Sequence, residues 1–286
     1  AAQGQLAAAV AAGLDGGADP AVLARAEELA ARPGAVAVLF YGNRLRALEA
    51  AGLVDLYLLT ESDRAFHGAG LAALANRLLP PTVLHVPASG DLPGAKVAVM
   101  TLPAFAARMR RESRDTTLWA RFAQPARLLY ARDAAARAGV VAAVAEGWRS
   151  AAWWADRLAE GPARWEALFA ATYAAELRVE THGRAAEVVA AAPEHFAVLD
   201  ALLPPAQPPD RERAIARRRW RARMRTGRAL NALRLVKAAV TFRGGVAYAR
   251  GKIARHAAPL SPVARRAPWV AAPLLLLSLW RRNGPR

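Results

Sequence analysis

Asp55 is the one carboxylate inside the apolar run Val54, Leu56, Leu58 and Leu59. Such a run reads as a buried strand over Leu53–Thr60. An ionised Asp there costs several kcal/mol unless a cation pairs with it. The run itself holds no Lys or Arg. A metal ion is one candidate partner, and a structural ion pair is the other. A second apolar run, Ala35 to Tyr41, ends at Gly42 with Asn43 behind it. A glycine turn closing a strand lets backbone N–H groups approach an anion, and an Asp on a neighbouring strand can hold Mg²⁺ against phosphate oxygens. Gly42 and Asp55 therefore suggest phosphoryl or nucleotidyl chemistry, although a glycine after a strand is also an ordinary turn.

Other chemistries are excluded or unsupported. The chain has no cysteine, so disulfides, thiolate metal sites and Cys nucleophiles are ruled out. His67, His85, His182, His195 and His256 are scattered without ligand spacing, which argues against zinc. No Ser-His-Asp pattern is visible. No early stretch joins a basic segment to an apolar one, so no signal peptide is expected.

The elements around the strand pair follow from punctuation and period. Asp19-Pro20 gives an N-cap and a first-turn proline to a helix that Pro33-Gly34 stops. A helix is predicted over Arg64–Leu79, ended by Pro80-Pro81. Strands follow at Thr82–Pro87 and Lys96–Leu102. Thr101 and Pro103 open the next helix, another covers Asp115–Ala123, and a fifth strand covers Arg127–Tyr130. This order predicts an α/β or α+β domain, a mixed sheet with flanking helices, over residues 1–133. Residues 134–209 read as a mainly helical second domain. Its Trp148, Trp153, Trp154, Trp165, Phe169 and Tyr173 recur at helical spacing, as core residues do.

Charge divides the chain. Residues 1–209 carry 20 Lys and Arg against 21 Asp and Glu, while residues 210–286 carry 20 against two, Asp210 and Glu212. The net charge of +17 thus resides in the last quarter, and a polyanionic partner is expected there. Leu230, Leu233, Val236 and Val240 form one apolar stripe, and Phe242, Val246, Ala249 and Ile253 a second. Trp269–Trp280 is an apolar stretch flanked by arginines, too short to span a bilayer but suited to its interface. Residues 210–286 therefore read as a basic amphipathic tail for an anionic membrane surface. Nucleic acid is disfavoured, because Leu274–Leu277 has no use on it.

The frame of a Gly-ended strand beside an Asp-bearing strand resembles the polymerase-beta-type nucleotidyltransferase superfamily. More of the chain resembles the mitochondrial-type CDP-diacylglycerol synthases (phosphatidate cytidylyltransferases) and their bacterial relatives. The matching segments are FYGN, VDLYLLTESDRAFH, KVAVMTLPAFAARMR, LWARFAQPARLL, TYAAELRVE and ALRLVKAAVTFRGGVAYARGKI, in family order and covering most of residues 35–255. Three positions depart from the pattern. Asn43 stands for serine and Glu176 for Asp. Tyr57 stands where classical nucleotidyltransferases carry a second carboxylate.

The resemblance implies CTP plus phosphatidic acid giving CDP-diacylglycerol and pyrophosphate, with Mg²⁺ as cofactor. The nucleophile would be an already ionised phosphate oxygen, so no general base is required. The resemblance implies Asp55 and Glu61 as metal ligands, with Lys96 alongside them in catalysis. Tyr41, Gly42, Asn43, Arg121 and Arg178 are implied for nucleotide and phosphate binding. Glu61 and Lys96 could equally be surface charges, and Arg121 and Arg178 salt-bridged arginines. The alternatives are a nucleotidyltransferase with another acceptor (sugar phosphate, protein or RNA) and a non-catalytic membrane adaptor on a degenerate scaffold. The expected location is peripheral, on the cytoplasmic face of a membrane, or on the matrix side of the mitochondrial inner membrane in a eukaryote.

Overall fold

The computed structural model describes residues 2–46, 52–113, 118–159, 163–175 and 183–241. Two helices open the chain, α1 (Ala2–Leu14) and α2 (Pro20–Ala30). The Asp19 side chain accepts from Ala21 N at 2.8 Å, so the expected cap is formed. Strands β1 (Ala35–Tyr41) and β2 (Val54–Thr60) follow, both almost wholly buried. The single helix expected over Arg64–Leu79 is two, α3 (Asp63–His67) and α4 (Leu71–Leu78). Gly68 and Gly70, at φ 74° and 138°, break the helix between them, since only glycine takes these values without strain. Strands β3 (Thr82–Val86) and β4 (Ala95–Thr101) lead to α5 (Leu102–Met109), capped by Thr101 Oγ1 on Ala104 N at 3.2 Å. Helix α6 (Leu118–Phe122) and strand β5 (Ala126–Ala131) complete the region.

The five strands form one mixed sheet in the order β3-β4-β2-β1-β5. Only β2 and β4 run parallel, and the other neighbours are antiparallel. Alternation gives the sheet two apolar faces. Val38, Phe40, Leu56, Leu58, Val97 and Val99 pack with Val22, Ala26 and Leu29 of α2. Leu39, Tyr41, Tyr57, Leu59, Ala98 and Met100 face the other helices.

On that second side the sheet meets α1, α5 and α7 (Ala134–Leu158), and α8 (Arg164–Ala175), α9 (Arg184–Ala190) and α10 (Pro193–Leu202) extend the same core. Their Trp148, Trp154, Trp165 and Phe169 are buried, as expected of a core set. The core is continuous with the sheet's, so packing does not separate residues 134–209 from 1–133. Trp148 Nε1 donates to Phe122 O at 2.9 Å and Ser150 Oγ to Met109 O at 2.7 Å, tying α7 to α6 and α5. The buried Arg164 guanidinium donates to Asp156 at 2.7 Å and Asp200 at 2.6 Å, tying α7, α8 and α10.

Helix α11 (Asp210–Thr241) begins where the basic tail was expected. Its first half is not a free tail. Ala216, Trp220 and Arg223 are buried, and Trp220 stacks on Trp154 at 5.1 Å and Trp119 at 6.2 Å. Residues 1–228 form one compact unit and 229–286 a second, described only to Thr241. Arg178, Glu176, the stripe Phe242–Ile253 and Trp269–Trp280 lie outside the described residues. Among the described residues, no helix is long and apolar enough to cross a membrane.

Candidate active site

Register brings most of the sequence-selected residues to one end of the sheet. Asp55 pairs with Tyr41 on antiparallel β1 and with Lys96 on parallel β4. Neighbouring strands lie about 4.8 Å apart, so one carboxylate and one ammonium-bearing residue start side by side. Asp55 shares its face with Tyr57 and Leu59, and Lys96 shares the same face with Ala98 and Met100. The adjoining strand thus sets a lysine in register with Asp55 on the same face of the sheet.

Gly42 closes the site from β1. Its φ is 93°, and a Cβ built there would lie 2.7 Å from Asp55 Oδ2 and 3.2 Å from Asp55 Cβ. Contact this close excludes any side chain, so the glycine is required both by conformation and by the carboxylate beside it. The expected pairing of glycine turn and strand Asp is present in the geometry.

Three arginines join Lys96 at this end among the described residues. Arg46 Nη2 donates to Asn43 Oδ1 at 2.7 Å, and Arg46 Nη1 to Gln124 Oε1 at 2.6 Å. Arg46 therefore clamps the Gly42–Asn43 turn to the α6–β5 connection, where Gln124 is buried. Arg44 Nη1 donates to Gly52 O at 3.3 Å, holding the entry to β2. Arg121 Nη1 donates to the Tyr57 hydroxyl at 3.2 Å, and its guanidinium lies 5.4 Å from the Tyr41 ring centroid. Tyr41, Tyr57, Phe105 and Phe122 form a tilted and edge-to-face cluster beneath it, with centroids 5.0 to 6.2 Å apart. Such pairs are each worth about 0.5–1.5 kcal/mol beyond area burial. Tyr57 is buried and serves this cluster, so β2 presents an aromatic ring rather than a second carboxylate two residues after Asp55. Arg46 and Gln124 were missed in the sequence. The signal for Arg46 was its place in the short basic run directly after the glycine.

Glu61 does not join Asp55. It follows the far end of β2, six residues on, or roughly 20 Å at strand rise. One metal ion cannot take both as ligands, which corrects the expected pair. Glu61 is instead held by Arg132 at 2.8 Å, with both side chains about half exposed. Hydrogen bonds from Glu61 and then Asp133 keep the Arg132 guanidinium above its ordinary value. Glu61 also lines an open cleft of about 520 Å³ between α3, α4 and the start of α5.

Mg²⁺ is commonly bound through one or two carboxylates, with substrate phosphates completing its shell. Asp55, against the side-chain-free Gly42, fits the lower limit of that requirement. Among the described residues, no three His, Asp or Glu side chains converge on a metal position.

His195 of α10 supports this end from behind. With Nε2 protonated it donates to Ala123 O at 2.9 Å, and its ring meets Trp148 edge-on at 5.2 Å. Burial pushes its pKa below the ordinary histidine value. The Ala123 bond partly opposes that shift, and the Arg127 charge adds to it.

No protein-family model matches the chain, and no curated protein is significantly similar to it.

Proposed function

We propose that this chain is a Mg²⁺-dependent nucleotidyltransferase that moves CMP from CTP to phosphatidic acid, giving CDP-diacylglycerol and pyrophosphate. The observation that carries the reading is the contact of the Gly42 turn with Asp55, whose Oδ2 would lie 2.7 Å from any Cβ at that glycine. It brings the backbone of the turn and the carboxylate together at one point, with Lys96 beside them in register.

The roles follow from charge. Triphosphate and acceptor phosphate repel each other, so the site must neutralise both before an acceptor oxygen can reach the α-phosphorus. Asp55 would hold Mg²⁺ carried in on the triphosphate, where the ion offsets negative charge on the phosphoryl oxygens. Lys96 and Arg121 add fixed positive charge. The Tyr41–Gly42–Asn43 turn, braced by Arg46, receives the phosphates through backbone N–H groups. The acceptor oxygen is ionised near neutral pH, so no base is needed. Arg178 belongs to the same proposal on the resemblance of its segment. The lipid acceptor and the nucleotide also rest on that resemblance. The basic sequence of residues 210–286 supports delivery to an anionic membrane surface.

A second reading is a non-catalytic membrane adaptor on this scaffold. It is favoured by one observation: β2 offers a single carboxylate at the site, with buried Tyr57 in the other position. Incubation with Mg²⁺, labelled CTP and phosphatidate vesicles separates the readings. Label in the lipid fraction is expected. Label on a sugar phosphate, protein or RNA instead would indicate a nucleotidyltransferase with a different acceptor. No transfer to any acceptor would leave the adaptor.

A further inference from the structure

Helix α4 is amphipathic in the reverse sense. It buries a polar residue, Asn76, and exposes Leu71, Leu74 and Leu78, which are 84%, 50% and 73% accessible. The spacing i, i+3, i+7 places the three leucines on one stripe. The stripe is not poised to turn inward. Asn76 Nδ2 donates to Asp63 Oδ1 at 2.7 Å, and Thr82 Oγ1 donates to Asn76 Oδ1 at 2.8 Å, fixing the helix by its buried face.

Beside the stripe lies the cleft of about 520 Å³, and Leu74 belongs to both. Arg64 and Arg77 line it, and neither makes a hydrogen bond or ion pair among the described residues. Two carboxylates also line it: Glu61 is paired with Arg132 at 2.8 Å, while Asp63 accepts from the neutral Asn76 amide at 2.7 Å and keeps its charge. Arg64 and Arg77 outweigh that one carboxylate, so the cleft keeps a net positive charge at the margin of an exposed leucine row. That combination matches a phosphate headgroup attached to acyl chains.

We propose that α4 with the Arg64–Arg77 cleft is a docking surface for an anionic phospholipid bilayer. The leucines enter the interface, and the two guanidiniums take lipid phosphates. An amphipathic helix with basic residues flanking its apolar stripe binds anionic bilayers through both terms. Charge complementarity selects this occupant over a protein helix, which would need an apolar groove without net positive charge at its edge. The surface lies at the Glu61 end of the sheet, away from Asp55, and does not depend on nucleotidyl transfer.

The test exploits the absence of cysteine in the chain. Leu78→Cys carries an environment-sensitive fluorophore in the full-length protein, and Ser89→Cys, in the β3–β4 loop, carries it as a control. Each is titrated with vesicles of phosphatidylcholine alone, or mixed in equal parts with phosphatidylglycerol. Phosphatidylglycerol is not the proposed acceptor, so a negative result here leaves the transfer reaction untouched. A blue shift is expected at position 78 with the anionic vesicles only, and none at position 89. Adding Arg64→Gln and Arg77→Gln, with unchanged circular dichroism, should move the midpoint to roughly tenfold more lipid. Three results would overturn the proposal: a label at 78 that stays in water while the protein sediments with vesicles, a midpoint indifferent to the arginines, or a shift that grows with protein concentration without vesicles, which would mark a second copy as the occupant.

Discussion

At the start of β2, Asp55 faces a glycine turn and basic side chains contributed by β4, α6 and the turn itself. Past the end of the same strand, Glu61 lies half exposed against Arg132. Both residues are acids and only six positions separate them, yet their surroundings differ in kind. The Asp55 end concentrates constraints that packing alone does not require, a positive-φ glycine against a carboxylate and an arginine clamping the turn. The Glu61 end satisfies its acid cheaply, in solvent, where exposed pairs contribute little. Asp55, the one residue of β2 that is not fully buried, is the better guide to chemistry, because the turn beside it is constrained around it.

The largest expected effect is therefore at Asp55. Asp55→Asn should lower nucleotidyl transfer by roughly a hundredfold or more, the scale of losing one preorganised charge in a phosphoryl-transfer site. Steady-state rates with a matched circular dichroism spectrum measure it; a loss below about threefold would detach Asp55 from the chemistry. Gly42→Ala comes next. Its methyl would meet Asp55 Oδ2 at 2.7 Å in a backbone of φ 93°. The left-handed conformation alone costs about 1–2 kcal/mol for a residue with a Cβ. Both stability and rate should fall, with rate falling further because the carboxylate must move. A stability loss with an intact rate would mean that the turn is structural only.

Much of this end was legible before the structure. The runs before Gly42 and around Asp55 are short, apolar and punctuated by glycine, so strand identity followed from pattern. Their pairing followed from proximity in sequence. The third dimension did not follow. The strand read over Leu53–Thr60 already implied that six residues carry Glu61 past the other end of β2, but the resemblance to a metal pair outweighed it. Lys96 beside Asp55 needed the parallel β2–β4 register, which a helix pair and β3 interpose in sequence. The first half of α11 was obscured by its arginines. Ala216, Trp220 and Arg223 mark a buried stripe at i, i+4 and i+7, but charge density suggested a basic amphipathic tail for an anionic membrane surface. Gly68 and Gly70 carried the signal for the break between α3 and α4, and periodicity outweighed it.

The Glu61 end should respond in stability rather than in rate. Asn76→Ala removes a buried side chain that bonds Asp63 and Thr82, leaving Thr82 without its acceptor. The cost is about 1–3 kcal/mol, or a fall in Tm of several degrees for a unit of this size. Transfer by the folded fraction should be unchanged. A rate loss as large as that of Asp55→Asn would erase the distinction between the two ends.

Acid should weaken the Asp55 end first. His195 is harder to protonate when folded than when unfolded, because burial disfavours its charged form. As pH falls below the ordinary value of 6.5, the unfolded chain takes up this proton before the folded one. Stability from this group is therefore complete above 6.5 and declines as pH drops toward the lower folded value. The Ala123 carbonyl that His195 holds lies next to Gln124, which anchors Arg46. Hydrogen exchange at residues 42–46 and 123–127 should rise with acid before exchange in β3 and α4. His195→Gln, which can still donate to Ala123, should flatten that difference. Equal protection loss at both ends would remove His195 from the account.

The smallest expected effect carries the most weight for the comparison. Glu61→Gln keeps the shape of the side chain and removes only its charge opposite Arg132. Arg132 also bonds Asp133 at 3.2 Å, so it keeps a carboxylate partner, and solvent screens what is lost. Tm and transfer rate should both match the unaltered protein. The separation of Asp55 and Glu61 along β2 leaves no route by which one metal ion could report the change at Asp55. If Glu61→Gln nonetheless lowered transfer as far as Asp55→Asn, the two acids would have to meet around one substrate. That requires the last residues of β2 to leave the sheet in the active state, so that the chain carrying Glu61 can fold back toward Asp55. Exchange protection of the Glu61 amide, which donates to Gly34 O at 2.9 Å, would then be lost on adding nucleotide. Persistent protection together with an unchanged rate would leave Asp55 as the only acid of the pair with a place in the reaction.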